Sequence, residues 1–302
     1  MKVLIVGYGS IGKRHEEVLL ASLYVKEIHI VTKQDLKDKI TFKTLQSVHE
    51  LDSYDYVIIA SETYKHFEQL RYLEETVSKK FIFCEKPLFD TYQPLEISRN
   101  TVFVGYVLRF HPLMQKLKNL LHNEHVISAN VYCGQYLPTW RKGVDYRTSY
   151  SAKKAEGGGV LLDLSHEIDY VQWLCGNIKE VYSYQVKISD LEIDSDDMVT
   201  LIGKTDKNAI VTMSMDYISK LPRREVMIHT LENTYVLDMI NNTLLQKDKE
   251  GFEHNHSCQN LERNAMFEAM HSSIIEQEDR ACSYVEAQDV MRTIMMIQEQ
   301  NR

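Results

Sequence analysis

Two segments of the sequence carry residues that can do chemistry. In Gly157-Gly158-Gly159-Val160-Leu161-Leu162-Asp163-Leu164-Ser165-His166-Glu167-Ile168-Asp169, three glycines lead into a predicted helix. Asp163, His166 and Asp169 recur at i, i+3 there and so can share one face. A histidine between two carboxylates is suited to accept a proton while a partner orients it. The glycines imply that the backbone comes close to another group. The second segment, Cys84-Glu85-Lys86-Pro87, follows an apolar run. If that run is a strand of an open α/β sheet, Lys86 lies at the carboxyl edge, where such sheets bind ligands. Pro87 removes a donor and sets the turn that aims the lysine.

What these groups act on is suggested by the start of the chain. Gly7-Tyr8-Gly9-Ser10-Ile11-Gly12 follows the apolar run Lys2–Val6 and opens a helical pattern. In that context Gly7 permits a tight turn, Gly9 admits a pyrophosphate against the backbone, and Gly12 allows close helix–strand packing. The helix N-terminus adds N–H donors and positive dipole. Lys86 is then placed to reach a nicotinamide. Sites that prefer NAD carry an acid about 20 residues after the glycines. Here the second strand ends in Val31-Thr32-Lys33, with no carboxylate before Asp35. A hydroxyl and an ammonium suit a 2′-phosphate, so the expected cofactor is NADP in preference to NAD.

The elements needed to hold these groups are legible as patterns. Lys2–Val6, Glu27–Val31, Tyr56–Ala60 and Lys80–Cys84 read as strands, with helices at Ile11–Ser22 and His66–Val77 between them. Strand and helix alternating at this pitch predict a parallel Rossmann sheet. Val102–Arg109 reads as a strand joining two domains. A glycine-led helix ending at Gly176 follows the strand Ile127–Gly134. Then come strands at Val181–Ile188, Met198–Gly203, Ala209–Met215, Glu225–Leu231 and Tyr235–Met239, and helices near Asn260–Glu276 and Val285–Gln300. The expected fold class is α/β plus α+β. A Rossmann domain spans 1–110. A substrate and oligomerisation domain spans 111–302, with an open, mostly antiparallel sheet and helices on one face.

Bulk properties limit the partners. The chain has 302 residues and a net charge of -8, with 44% hydrophobic residues. That charge gives no global attraction for nucleic acid or anionic lipid, and no stretch approaches a membrane span. Five scattered cysteines without a C-x-x-C fit a reducing compartment, so a cytoplasmic location is expected. His254, His256 and Cys258 lack a fourth ligand at a usual spacing and read as a loop, so no metal site is expected. Met291, Met295 and Met296 read as packing surface on the last helix. The segment from Trp140 and Arg141 to Tyr150 and Lys154, which includes Lys142, is basic and aromatic in an acidic protein. Its arginines and tyrosines could hold a carboxylate or phosphate on a sugar.

In several places the chain resembles the Gfo/Idh/MocA oxidoreductase family, that of inositol dehydrogenase and glucose–fructose oxidoreductase. The places are Gly7–Gly12, Ile59-Ala60-Ser61-Glu62-Thr63-Tyr64-Lys65-His66, Glu85-Lys86-Pro87, Val104-Gly105-Tyr106 with Arg109-Phe110 and Pro112, and the glycines with His166-Glu167-Ile168-Asp169. The resemblance implies that Lys86 polarises the reacting hydroxyl and that His166 is the proton acceptor. It also implies that Ala60, Ser61, Thr63 and His66 lie near the cofactor with Glu85, and that Arg109 lies near the substrate. The implied reaction passes hydride between a nicotinamide and a secondary alcohol of a sugar or cyclitol. The resemblance points further to members linked to cell-surface glycan synthesis, and it implies a homodimer or homotetramer. Two departures stand out. Asp163 precedes His166 by three residues where the family has four, and Val107 replaces a polar residue. Two other functions remain open: an NAD-using enzyme without net redox change, such as a glycosidase, and a non-catalytic dinucleotide sensor.

Overall fold

A computed structural model describes residues 1–141 and 143–301; Lys142, within the basic aromatic segment, lies outside the described residues. The chain opens with β1 (Lys2–Val6), α1 (Ser10–Leu20), β2 (Glu27–Val31), β3 (Thr41–Phe42), β4 (Tyr56–Ile59), α2 (His66–Thr76), β5 (Phe81–Cys84) and β6 (Thr101–Val104). Next come α3 (Pro112–Leu120), β7 (Val126–Gly134), α4 (Val160–Asp163), α5 (Ser165–Cys175), β8 (Ile178–Val186), β9 (Met198–Thr205) and β10 (Ile210–Asp216). The remainder is β11 (Arg223–Thr230), β12 (Asn233–Asp238), β13 (Thr243–Asp248), β14 (Glu253–Ser257), α6 (Ala265–Ile275), β15 (Cys282–Ser283) and α7 (Tyr284–Gln300).

These elements form two compact units, one of Met1–Phe110 with Glu262–Gln288, the other of His111–Leu261 with the residues from Asp289 onward. The boundary after residue 110 coincides with the sequence division. Residues 262–288, which that division gave to the second domain, pack instead with the first. The reason is their apolar face. Phe267, Met270 and Ile274 of α6 join Val18, Leu19, Val107 and Phe110 in the core of the first unit.

The first unit carries a sheet in the order β15-β6-β5-β4-β1-β2-β3. All its pairs are parallel except β15 on β6. This is the doubly wound order, and its central strands are apolar almost throughout because both faces are covered. The expected strand Val102–Arg109 is shorter. It ends at Val104, and Val107–Phe110 forms a 3-10 turn whose side chains are all buried.

The second unit is built on the order β14-β13-β12-β11-β7-β10-β9-β8. Only β10 and β7 pair in parallel. Val199 and Leu201, Val211 and Met213, Val131 and Cys133, and Val226 and Ile228 line the covered face. The alternate residues turn outward, among them Tyr182, Tyr184, Ile202 and Ile210, all exposed. Helix α5 is buried on every side and closes at Gly176.

Three elements here were not expected. Helix α3 starts with Pro112 at its first position, where a fixed φ favours a helix start, and His111 caps it by accepting from Leu113 N–H. Strands β13 and β14 are too polar to signal themselves and exist through pairing. His254 and His256 therefore lie on an edge strand and not in a loop. Among the described residues no cluster of three or more His, Cys, Asp or Glu could hold a metal ion, and no helix is long and apolar enough to cross a membrane.

Candidate active site

The three glycines after β1 differ in what surrounds them. Gly7 has φ +98°, a conformation favouring glycine, and a Cβ there would lie 2.6 Å from Ala60 O and Ser61 N. A Cβ on Gly12 would overlap the Gly7 carbonyl, so α1 lies directly on the turn. A Cβ on Gly9 would meet no atom within 4 Å. Gly9 also begins α1, and no side chain caps that end. The first-turn N–H groups of α1 thus have no side-chain acceptor and face open space. A pyrophosphate fits such a cradle in size, sign and donor geometry.

Around the cradle, Tyr8 is buried and its hydroxyl donates to Glu16, which also pairs with Lys39. Burial, then Glu16, pushes the Tyr8 phenol up. Ser10 and Ile11 form the first residues of α1. Thr32 N–H bonds to Phe42 O at 2.8 Å, and its hydroxyl accepts from Gln34 N–H. Lys33 is exposed at the end of β2. Asp35, the next acid along the chain, is paired with Lys43 at 2.8 Å. Beyond β4, Ala60 is buried and donates to Val6 O, the Ser61 hydroxyl bonds to Gln69, and Thr63 opens a 3-10 turn. His66 is buried, with Nε2 3.1 Å from Ser61 O and Nδ1 3.1 Å from Pro87 O. Both nitrogens face backbone carbonyls, so this ring ties the loop after β4 to the turn after β5. Burial lowers its pKa, opposed by those carbonyls.

Glu85 and Lys86 follow β5 at the carboxyl edge of the sheet. Glu85 N–H continues the ladder to Ile59 O at 2.8 Å, and its Oε2 accepts from Lys86 N–H at 3.2 Å. Lys86 itself is half-buried. Arg109 is 1% exposed, and its guanidinium donates to Glu286 at 2.7 Å. Burial works against the Glu286 charge, but Arg109 and the Ser283 donors outweigh it and hold this carboxyl below its usual range. Arg109 thus lies in the interior of the first unit as an ion-pair residue.

In the second unit the expected single helix is broken. α4 ends at Asp163, Leu164 leaves helical geometry, and α5 starts at Ser165. Asp163 and His166 therefore do not follow the i, i+3 geometry of one continuous helix. Both are buried. Asp163 Oδ2 accepts from the Tyr217 hydroxyl at 2.6 Å. Burial, then the Asp163 charge, drives the phenols of Tyr217 and Tyr150 upward, so both remain donors. The glycines serve the chain itself. A Cβ on Gly158 would overlap Tyr150 O, and Gly159, at φ +114°, would overlap Asp196. Asp196 caps α4, accepting Val160 N–H on its carbonyl at 3.1 Å and Leu161 N–H on its carboxyl at 3.0 Å.

Within the same unit, Trp140 stacks edge-on to Tyr217 at 5.0 Å, and the exposed Arg141 lies over the Tyr150 ring at 5.7 Å. Trp140, Arg141, Tyr146, Ser149 and Ser151 line a small surface recess. One residue of the motif had a part that sequence reasoning missed. Glu167, fully buried, pairs with Arg224 of β11 at 2.7 Å. Burial opposes the Arg224 charge, but Glu167 prevails and holds it cationic. The pair locks α5 to the sheet, and with it the His166 that α5 carries.

Comparison with known proteins bears on both units. The signature of the oxidoreductase family with an NAD-binding Rossmann fold matches residues 1–100. That of the GFO/IDH/MocA C-terminal domain matches residues 115–236. The chain belongs to the GFO/IDH/MocA oxidoreductase family. Myo-inositol 2-dehydrogenase of Thermotoga maritima is 27% identical over 212 residues, 64% of this chain and 60% of the relative. A 2,7-anhydro-N-acetylneuraminate hydratase of Escherichia coli is 28% identical over 148 residues, 47% of this chain and 39% of the relative. The chain thus spans roughly half the length of the curated relatives it matches. Levoglucosan dehydrogenase in complex with NADH superposes with a TM-score of 0.84 at 16% identity, covering 99% of this chain and 96% of the other, a likeness of fold.

Proposed function

We propose that this GFO/IDH/MocA member is an NAD(P)-dependent dehydrogenase acting on a secondary alcohol of a sugar, sugar derivative or cyclitol. The observation that supports it most is the open, uncapped cradle at Gly9, on the sheet whose carboxyl edge carries Lys86. A bound dinucleotide would supply hydride acceptance or return. Gly7 to Gly12 would hold its pyrophosphate, and Ala60, Ser61, Thr63 and Glu85 would flank the rest of its course. His66 supports that course by joining two loops. Lys86 stabilises the developing alkoxide, and His166 takes the hydroxyl proton. Asp163 has an orienting part, since it already accepts from the Tyr217 hydroxyl.

We read the cofactor as NADP. Thr32 and Lys33 directly follow β2, and Asp35, the next acid along the chain, is engaged by Lys43. Trp140, Arg141 and Tyr150 suit an acidic or nucleotide-linked sugar, consistent with a place in cell-surface glycan synthesis. The exposed Tyr182, Tyr184, Ile202 and Ile210 on the open sheet face suit a homodimer or homotetramer; light scattering of a purified sample checks this.

The test is reduction of NADP⁺ and NAD⁺ against myo-inositol, neutral sugars, uronic acids and nucleotide-linked sugars. Lys86→Ala and His166→Ala are each expected to lower turnover by about 10²–10⁴ while sparing cofactor affinity. Near-normal turnover in either removes that residue from the mechanism. A second reading, bound dinucleotide used without net redox change, is favoured by the relative named as a hydratase. Product formation with no release of reduced cofactor would select it.

A further inference from the structure

A line of four buried polar side chains runs through the first unit. Glu85 Oε1 lies 2.9 Å from His15 Nε2. His15 Nδ1 lies 2.8 Å from His271 Nε2, and His271 Nδ1 lies 2.9 Å from the Tyr56 hydroxyl. His15 and Tyr56 are fully buried, His271 is 2% exposed and Glu85 9%. Phe83 and Phe267 stand edge-on to His15 at 5.1 and 5.6 Å and keep the line dry. The residues come from α1, α6, β4 and the turn after β5, so no local pattern connects them. Arg14, His66 and Cys84 also feel the Glu85 charge.

With both imidazoles neutral, hydrogen-bond chemistry gives this line one direction. A carboxylate only accepts, so His15 must present Nε2–H to Glu85. Neutral His15 then has only Nδ1 as acceptor, and His271 must present Nε2–H to it. His271 Nδ1 is left to accept from the Tyr56 hydroxyl. Every polar atom in the line is satisfied with two neutral imidazoles. Burial and then His15 hold the His271 pKa well below its usual value, and burial drives the Tyr56 phenol up, which agrees with neutral groups at both places. The opposite direction would need a protonated Glu85 and two reversed tautomers, and it would leave the Tyr56 proton without this acceptor.

We propose that His15 is a positioning residue for Lys86: it fixes Glu85, whose other oxygen accepts the main-chain N–H of Lys86 and so sets the backbone from which its side chain projects, and His271 with Tyr56 fixes His15 in the tautomer that does so. This rests on Lys86 being the lysine that meets the reacting hydroxyl. Neither imidazole meets cofactor or substrate in this scheme.

The experiment uses the full chain with 15N-histidine and 13C-lysine labels, with and without NADP⁺ as probe. Wild-type protein is expected to show His15 and His271 neutral at pH 7 with the proton on Nε2. An Nδ1–H form or an imidazolium at either ring overturns the proposal, and this arm needs no folded variant. The Lys86 Cε resonance, assigned by its loss in Lys86→Ala, is expected to move toward the exposed lysines in His15→Leu. It is expected to return in His15→Gln, whose amide can donate to Glu85 and accept from His271. A Lys86 signal unchanged in folded His15→Leu, or not restored by His15→Gln, overturns it. If Lys86→Ala is inactive in the alcohol screen while the signal ignores His15, positioning alone fails. If Lys86→Ala keeps full turnover, the functional reading fails and takes this inference with it.

Discussion

Gly9→Ala and Gly12→Ala are expected to separate cofactor binding from folding within one turn of chain. At Gly9, φ is -77° and an added Cβ meets nothing within 4 Å, so alanine brings neither strain nor overlap. The remaining cost is that of alanine at a helix N-cap, about 1 kcal/mol or less. The methyl would, however, stand in the space through which the uncapped N–H groups of α1 reach an anion. A hydrogen bond to a charged group contributes about 1.5–3 kcal/mol. Losing one or two of them corresponds to a roughly 10- to 10,000-fold loss of affinity, at about 1.4 kcal/mol per decade. At Gly12 the added Cβ overlaps the Gly7 carbonyl, a backbone atom that cannot rotate away. Overpacking of that kind costs about 1–3 kcal/mol or more, and each kcal/mol lowers Tm by roughly 2–4 °C in a unit of this size. NADPH fluorescence titration and thermal unfolding read the two effects. Gly9→Ala should melt like wild type and bind poorly; Gly12→Ala should melt early. A folded Gly9→Ala protein with wild-type cofactor affinity would show that no pyrophosphate crosses that cradle.

Arg224→Met leaves the fully buried Glu167 carboxylate without its cation, and urea unfolding is expected to show a loss of about 3–5 kcal/mol. Glu167→Leu combined with Arg224→Met should recover most of that loss; a double variant as unstable as the single would contradict the account. The Glu286 carboxyl is held below its usual range in the fold, so its contribution is present at neutral pH and is lost as pH falls below about 4. Stability measured from pH 6 to 3 should therefore slope less in Arg109→Met than in wild type. Lys33→Asp should move preference from NADP toward NAD by roughly 10- to 100-fold in the ratio of kcat/KM, the loss of one charged hydrogen bond to the 2′-phosphate. No change in that ratio would show that Lys33 points away from the ribose.

Local patterns in the sequence were sufficient for the doubly wound sheet, the glycine turn and the strand end that bears Lys86. Each is written in consecutive residues: an apolar run, a turn that needs glycine, a helix start. The mostly antiparallel sheet was legible as alternation, except in β13 and β14, where polar residues are held by neighbours and not by their own propensity. Tertiary structure alone decided four matters. It joined residues 262–288 to the first unit, because the apolar face of α6 completes a core formed by distant residues. It broke the helix at Leu164, where Asp196 caps one piece and Glu167 anchors the other. It turned Gly158 and Gly159 toward the chain's own backbone and Asp196. It brought His271 to His15 across 256 positions of sequence. Hydrogen bonds and ion pairs between remote residues leave no periodic trace, because what selects them is the geometry of the folded chain and the cost of burying a polar group alone.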